Sequence, residues 1–199
     1  MRRLDQACKK VELSIMHVPG PASPSLKNQL LISDPTMRGG IFHRSVIFLV
    51  EHDDQNGALG FILNRPSGQL VGDFLKGDEF SAISHVQVHV GGPVSQDHMT
   101  FAAFWEENGH FQYTTRISAE DAVEESHRPG RLVKAFVGYS GWDAGQLEGE
   151  LESQSWFTNS VTPTLLGEAH DAKLWHHILS EMSPYHRLIA QAPENILAN

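Results

Sequence analysis

The chain has 199 residues and a mass of 22.1 kDa, and 40% of its residues are hydrophobic. This size and composition predict a folded globular protein that buries a core without disulfides, and they exclude a disordered chain. The formal net charge of −9 argues against direct nucleic-acid binding, which draws its affinity from clustered Lys and Arg. The single cysteine, Cys8, excludes an internal disulfide and a zinc site built on two thiolates, and it fits a reducing cytosol.

The longest apolar run, residues 46–50, is far shorter than the roughly 20 residues that a membrane-spanning helix needs. Charged residues follow the basic start Met1-Arg2-Arg3 where a signal peptide would need an apolar stretch. The sequence therefore predicts no membrane association, no export and a cytoplasmic location.

The first 26 residues are predicted to form a separate N-terminal extension. Residues 4–17 carry apolar side chains at the spacing of one helix face, and residues 19–25 contain three prolines that indicate a linker. We expect a single domain over residues 27–199. The extension either packs on that domain or reaches a partner. Cys8 is either a buried thiol or, beside Lys9 and Lys10, a regulatory one.

Strands are predicted next along the chain. Residues 30–33, 44–51 and 58–64 are apolar strand segments, and the turn at residues 53–57 with Asn56-Gly57 joins the last two into a β-hairpin. Further strands are expected at residues 86–90, 99–105, 111–116 and 132–139.

Three helices are predicted in the second half of the chain. One follows Ser118 as its N-cap and ends before Pro129, the second covers residues 144–154 with Asp143 as its cap, and the third covers residues 171–182. Strands outnumber helices and several are joined as hairpins. The sequence therefore predicts an α+β fold with a mostly antiparallel β-sheet, or a flattened barrel, and flanking helices.

Three stretches resemble the YqgE/AlgH family of bacterial proteins. They are LLISDPTMRGGIFHRSVIFLVEHDDQNGALGFILNRP at residues 30–66, VGGPVSQD at 90–97 and VGYSGWDAGQLEGELESQSW at 137–156, and the resemblance covers about residues 28–182. It implies a compact α+β fold, a cytosolic bacterial protein and a label as a transcriptional regulator, without an established reaction. Because the predicted helices at 119–127 and 146–154 are acidic, any such regulation is expected to act through a protein or a ligand.

The ends of the predicted hairpin carry the first group of candidate ligand-binding residues. Arg44, Glu51, His52 and Asn64 flank its strands, and the even spacing of Arg44 and His52 predicts that these two share a face opposite Glu51. The alternative interpretation is structural: Glu51 and His52 mark the end of a strand, and Asn64 bonds turn amides.

Two glycines after the strand at 86–90 are the second candidate. The two glycines belong to a tight turn between strands, or else the amides of Gly91 and Gly92 form an anion-binding nest. Neither a Walker motif nor G-x-G-x-x-G is present, so no specific nucleotide motif supports the second interpretation.

The third group lies where a strand meets a helix. Trp142, Gln146 and Glu148 are placed to hold a small polar or anionic ligand beside a helix N-terminus, or else Trp142 fills the core. The sequence around Ser140 is similar to the G-x-S-x-G motif of a nucleophile elbow, but Trp142 stands where the motif has its final glycine. We therefore predict no catalytic residue.

The twelve histidines form no metal-binding motif, and we expect no metal and no cofactor. The leading hypothesis is a non-enzymatic protein that binds a protein partner or a small ligand. The alternative is an enzyme or nucleotide-type sensor with a cleft between the hairpin end and residues 142–148.

Overall fold

The structure is a computed structural model that describes residues 24–37, 39–161 and 173–191. The helix predicted at residues 4–17, most of the predicted linker and Cys8 lie outside the described residues. The division of the chain at residue 26 therefore stays a prediction.

The described residues form strands and helices in an α+β arrangement. The strands are β1 (Gln29–Ser33), β2 (Val46–Asp53), β3 (Gly57–Ile62), β4 (Pro66–Leu70), β5 (Gln87–Val90), β6 (Val94–Glu107), β7 (His110–Ile117), β8 (Leu132–Trp142) and β9 (Trp156–Ser160). The helices are α1 (Val71–Phe74), α2 (Ala119–Ser126), α3 (Gln146–Glu152), α4 (Leu174–Met182) and α5 (Pro184–Ala190), and a 3₁₀ helix covers Asp78–Ile83.

The strands form one sheet with the order β4-β5-β8-β3-β2-β1-β9, and β6 pairs with both β8 and β7. The pairings are antiparallel except that of β5 with β8. The predicted α+β class and mostly antiparallel sheet are confirmed. The described strands form an open sheet, so the flattened barrel is not the form adopted.

Strand β8 connects the two halves of this sheet. Its first part lies between β5 and β6, with Ala135 opposite both Val88 and Phe101. Its last residues pair with β3, where Trp142 lies opposite Ala58. This register brings the loop of the β2–β3 hairpin next to the segment that leads into α3.

The core is formed on both faces of β1, β2 and β3. Phe48 faces one side, in a cluster with Phe104 and Trp175, and Ile47 faces the other side with Trp142 and Leu147. The alternation of strand side chains explains why the apolar run at residues 46–50 is buried throughout. A third cluster lies beneath α2.

The N-termini of α2 and α3 differ in how well the sequence predicted them. Ser118 caps α2 as expected, since its Oγ accepts a hydrogen bond from the Asp121 amide at 3.1 Å. The cap predicted at Asp143 is wrong. Gly145 occupies the N-cap position of α3 with a φ of 77°, a left-handed conformation that glycine adopts without a steric penalty.

Five short elements were not anticipated from the sequence: β4, β9, α1, α5 and the 3₁₀ helix. Strands β4 and β9 are five residues long and mostly half-buried or exposed, so they lack the apolar runs that mark a buried strand. Helix α5 begins at Pro184. A proline at the first helical position loses no hydrogen bond, and the Ser183 hydroxyl accepts a bond from the His186 amide.

Within the described ranges, none of the helices has the length and apolar character needed to cross a bilayer.

Candidate functional site

His52 and Glu148 meet between the end of β2 and helix α3. His52 Nε2 lies 2.8 Å from Glu148 Oε1, and the two side chains are 2% and 28% exposed. The other ring nitrogen, Nδ1, accepts a hydrogen bond of 2.9 Å from the Leu26 amide. Because that amide can only donate, the ring is the neutral Nε2–H tautomer, and Nε2–H donates to the carboxylate.

Arg44 and Glu51 lie on the opposite side of β2 from His52. The Arg44 guanidinium carbon is 5.1 Å from the centre of the Trp175 ring, and Glu51 forms an ion pair with Arg116 of β7. The prediction that Arg44 and His52 share a face is therefore wrong. Arg44 precedes the strand with a φ of 51°, and a bulge between Leu49 and Glu51 interrupts the alternation.

Asn64 has a structural position at the base of the hairpin. Its Oδ1 accepts a hydrogen bond from the Val46 amide and its Nδ2 donates to the Arg44 carbonyl, each at 2.9 Å. The residue is 3% exposed. Its amide therefore holds the two ends of the hairpin together. The role is structural, but the amide that it bonds begins strand β2 instead of lying in a turn.

Gly91 and Gly92 cross closely over β8. The Gly91 amide donates to the Val137 carbonyl at 2.9 Å, so it is not available to an anion. A Cβ added to Gly92 would lie 2.1 Å from the Tyr139 carbonyl carbon. The pair of glycines is thus explained by the close approach of two backbones.

Trp142 and Gln146 are both engaged with Glu150. Trp142 is 6% exposed and its Nε1 donates to Glu150 Oε2 at 2.8 Å. Gln146 Nε2 donates to Glu150 Oε1 at 3.0 Å. The sequence analysis missed Glu150. Its spacing of four from Gln146 on a helix was the only signal that pointed to it.

Two adjoining depressions form an open groove on the face of β2 that carries Glu51. The first, of about 380 Å³, is lined by residues of the hairpin and of the β8 end: Glu51, Asp53, Asn56, Gly57, Ala58, Leu59, Val94, Tyr139, Gly141, Trp142 and Asp143. The second, of about 410 Å³, is lined by Leu59, Phe61, Ser95, His98, Met99, Thr100, Arg116, Gly138 and Tyr139. Leu59 and Tyr139 line both parts.

The groove brings together only Glu51 and Trp142 from the predicted set. His52 and Glu148 line a separate small pocket with Pro24 and Leu26. Asp53 was predicted only as a turn residue. No sequence pattern pointed to Tyr139 or Arg116, because their proximity arises from sheet topology.

One end of the groove is negatively charged. Glu51, Asp53 and Asp143 line it. Hydrogen bonds from the Asn56 side chain, and then from the Asn56 and Gln55 amides, hold the pKa of Asp53 below its ordinary value of 3.8. Asp53 is therefore ionised at neutral pH. The described residues contain no group of three or more His, Cys, Asp or Glu arranged to hold a metal ion.

The sequence model of the AlgH-like family (DUF179) matches residues 30–186. The chain belongs to this family. The predicted resemblance to YqgE/AlgH proteins is confirmed, over nearly the range expected. The AlgH-like match includes the hairpin, the groove and α3.

Individual AlgH-like relatives support the same conclusion. A UPF0301 protein from Shewanella denitrificans is 34% identical over 163 residues, covering 76% of this chain and 88% of the relative. A UPF0301 protein from Chlorobium luteolum is 30% identical over 186 residues, covering 83% of this chain and 90% of the relative. These names assign no activity.

Two solved structures have the same fold. The solution structure of the AlgH protein from Pseudomonas aeruginosa matches with a TM-score of 0.60 and 28% identity, covering 88% of this chain and 99% of that one. A crystal structure of a Corynebacterium diphtheriae protein matches with a TM-score of 0.67 and 19% identity, covering 89% and 95%. The second likeness concerns the fold alone.

Proposed function

We propose that this AlgH-like chain is a non-enzymatic binding protein whose site is the groove along β3 and β8, and that the groove takes a lysine or arginine side chain of a protein partner. The observation that carries the proposal is the pair of carboxylates from Asp53 and Asp143 beside Tyr139 in an open groove, next to Glu51 in its ion pair with Arg116. Ammonium and guanidinium groups bind carboxylates by charge-assisted hydrogen bonds.

The rest of the groove suits the stem of such a side chain. Tyr139 offers an aromatic ring to a cation, and Leu59, Phe61 and Met99 supply apolar surface in the adjoining depression. Lys and Arg carry apolar stems that cover such surface while the charged end stays polar. The net charge of −9 also favours encounter with a basic partner.

The structure gives less support to an enzyme. His52 is the buried histidine of the predicted site, but Leu26 occupies its Nδ1 and Glu148 its Nε2. A general base needs a ring nitrogen within reach of the reacting proton. Ser140 is fully buried and donates to the Gly91 carbonyl at 3.1 Å, so its hydroxyl is not placed as a nucleophile.

A nucleotide-type ligand is also less well supported. Carboxylates at the groove repel phosphate groups, and the Gly91 amide is already bonded to Val137. For the same electrostatic reason we propose that any effect on transcription is indirect, through a protein partner in the cytoplasm.

A charge-reversal experiment tests the proposal. Deca-lysine, with deca-glutamate as the negative control, is titrated into the ¹⁵N-labelled protein, and amide resonances and heat are recorded at moderate salt. We expect deca-lysine to shift the resonances of residues 57–59 and 139–143. We expect Asp143→Lys to weaken binding by about tenfold, since it replaces an attraction by a repulsion.

The matched control is Glu124→Lys on the exposed face of α2, which changes the net charge equally but lies outside the groove. Equal weakening by both variants, or resonance shifts spread evenly over the surface, would contradict a specific site in the groove.

A further inference from the structure

Residues 24–27, here called the latch, dock on the end of β2 through His52. The Ser25 hydroxyl donates to the His52 carbonyl at 2.9 Å, and the Leu26 amide donates to His52 Nδ1 at 2.9 Å. Leu26 also packs against the core cluster that contains Trp142 and Leu147. One histidine therefore supplies two of the acceptors that hold the latch.

The residue that follows the latch is fixed independently of His52. The Asn28 amide donates to the Leu49 carbonyl at 2.9 Å, and the Asn28 side chain accepts a hydrogen bond from the Tyr113 hydroxyl. Asn28 has a φ of 69°, the left-handed conformation in which asparagine is enriched. Asn28 therefore anchors the chain at the end of the latch.

The bond between Leu26 and His52 exists only while the imidazole is neutral. Addition of a proton to Nδ1 converts the acceptor into an N–H donor, which then faces the Leu26 N–H. The new positive charge stays compensated, because Nε2–H already donates to the Glu148 carboxylate. Protonation thus weakens the contact with the latch while strengthening the contact with α3.

The carboxylates around the His52 ring also hold a protonated ring in contact with α3. Glu148 and Glu152 of α3 line the pocket of about 240 Å³ that also contains Pro24, Leu26 and His52. Asp53 follows His52 in β2, and its charge interacts with the ring. These carboxylates hold a cationic ring in place, so the contact that breaks is the one to the latch.

We propose that the latch is a pH-sensitive switch: protonation of His52 at Nδ1 releases residues 24–27 from β2 and exposes the pocket beneath them. This inference is independent of the groove and of its ligand.

Hydrogen exchange and nitrogen chemical shifts of the whole chain test the switch. Between pH 8 and pH 5, the protection factor of the Leu26 amide, taken relative to an unstructured peptide at each pH, is expected to fall by about tenfold. The protection of Phe48 in the core of β2 is expected to stay constant. At pH 8 the ¹⁵N shifts of His52 should show protonated Nε2 and unprotonated Nδ1.

A His52→Gln variant keeps an acceptor and a donor but cannot take up the proton, so its Leu26 protection should not depend on pH. His110→Gln, an exposed histidine of β7, should behave as the unsubstituted chain. The switch is overturned if Leu26 protection is constant with pH, if Leu26 and Phe48 lose protection together, or if Nδ1 carries the proton at pH 8. The protection factors and ¹⁵N shifts of the unsubstituted chain test the switch even if His52→Gln does not fold.

Discussion

Glu150 accepts a hydrogen bond of 2.7 Å from the Trp156 indole, which is 4% exposed. The same carboxylate oxygen accepts the Trp142 indole at 2.8 Å. One side chain of α3 therefore satisfies the polar groups of two buried tryptophans, one at the end of β8 and one at the start of β9. This contact fixes α3 against the sheet and holds the segment that borders the groove.

We predict that Glu150→Ala lowers the free energy of unfolding by about 3 kcal/mol, because it leaves two buried indole donors without an acceptor. Glu150→Gln keeps an acceptor oxygen and should cost less. The measurement is urea denaturation followed by tryptophan fluorescence. Glu152→Ala, on the exposed side of the same helix, is the control. A Glu150→Ala variant as stable as this control would show that the two indoles find other acceptors.

Gly57 and Gly109 offer a comparison of two left-handed glycines in hairpin turns. Their φ values are 80° and 75°, but a Cβ at Gly57 would lie 2.1 Å from the Trp142 carbonyl oxygen, whereas a Cβ at Gly109 meets nothing within 4 Å. We predict that Gly109→Ala costs about 1 kcal/mol for the backbone conformation alone. Gly57→Ala should cost at least about 3 kcal/mol, because β3 and β8 must separate. Chemical denaturation gives both values, and equal losses would refute the close approach.

Asn64 is predicted to be the polar residue on which the β2–β3 hairpin depends most. Asn64→Ala removes the partners of the Val46 amide and the Arg44 carbonyl, and it should lower the free energy of unfolding by about 2–3 kcal/mol. Gln55→Ala in the exposed hairpin loop should change it by less than about 0.5 kcal/mol. Thermal unfolding by circular dichroism compares the two. Similar melting temperatures would mean that Asn64 is not needed to close the hairpin.

The turn at Asp53 should respond to acid. Because the folded-state pKa of Asp53 lies below 3.8, the carboxylate stabilises the turn at pH values above its unfolded pKa, and this contribution is lost as the pH falls through the folded pKa. A carboxyl ¹³C titration should place the midpoint below 3.8. Asn56→Ala removes the largest cause of the shift and should move the midpoint upward. An unchanged midpoint in that variant would assign the shift to the backbone amides instead.

Much of the fold was predictable where local chemistry and long-range packing agree. The apolar run of β2, the Asn56-Gly57 turn and the Ser118 cap of α2 each depend on near neighbours, and each was confirmed. The outcome was different at Asp143 and Arg44. A left-handed Gly145 took the cap of α3, and a bulge in β2 changed which side chains share a face. Such departures from regular geometry are small in energy and leave little trace in the pattern of apolar residues.

The candidate site was less predictable than the fold. His52 and Glu148 were predicted in separate groups, on the two sides of the cleft in the alternative hypothesis, and the structure joins them at 2.8 Å. No sequence pattern indicated that Leu26 completes this contact or that Tyr139 and Arg116 line the groove with Glu51. These residues are separated by many positions along the chain, and periodicity cannot tell which strands become neighbours.

By itself the sequence determined the α+β class, the family and the hairpin, because composition and short-range patterning fix these properties. Only the tertiary structure decided which candidate residues form hydrogen bonds within the fold and which face solvent. Asn64, Gly91 and Trp142 are engaged within the fold, whereas Asp53 and Asp143 line an open groove. That distinction depends on how β8 passes from β5 and β6 to β3, since strand order is set by the packing of the whole sheet.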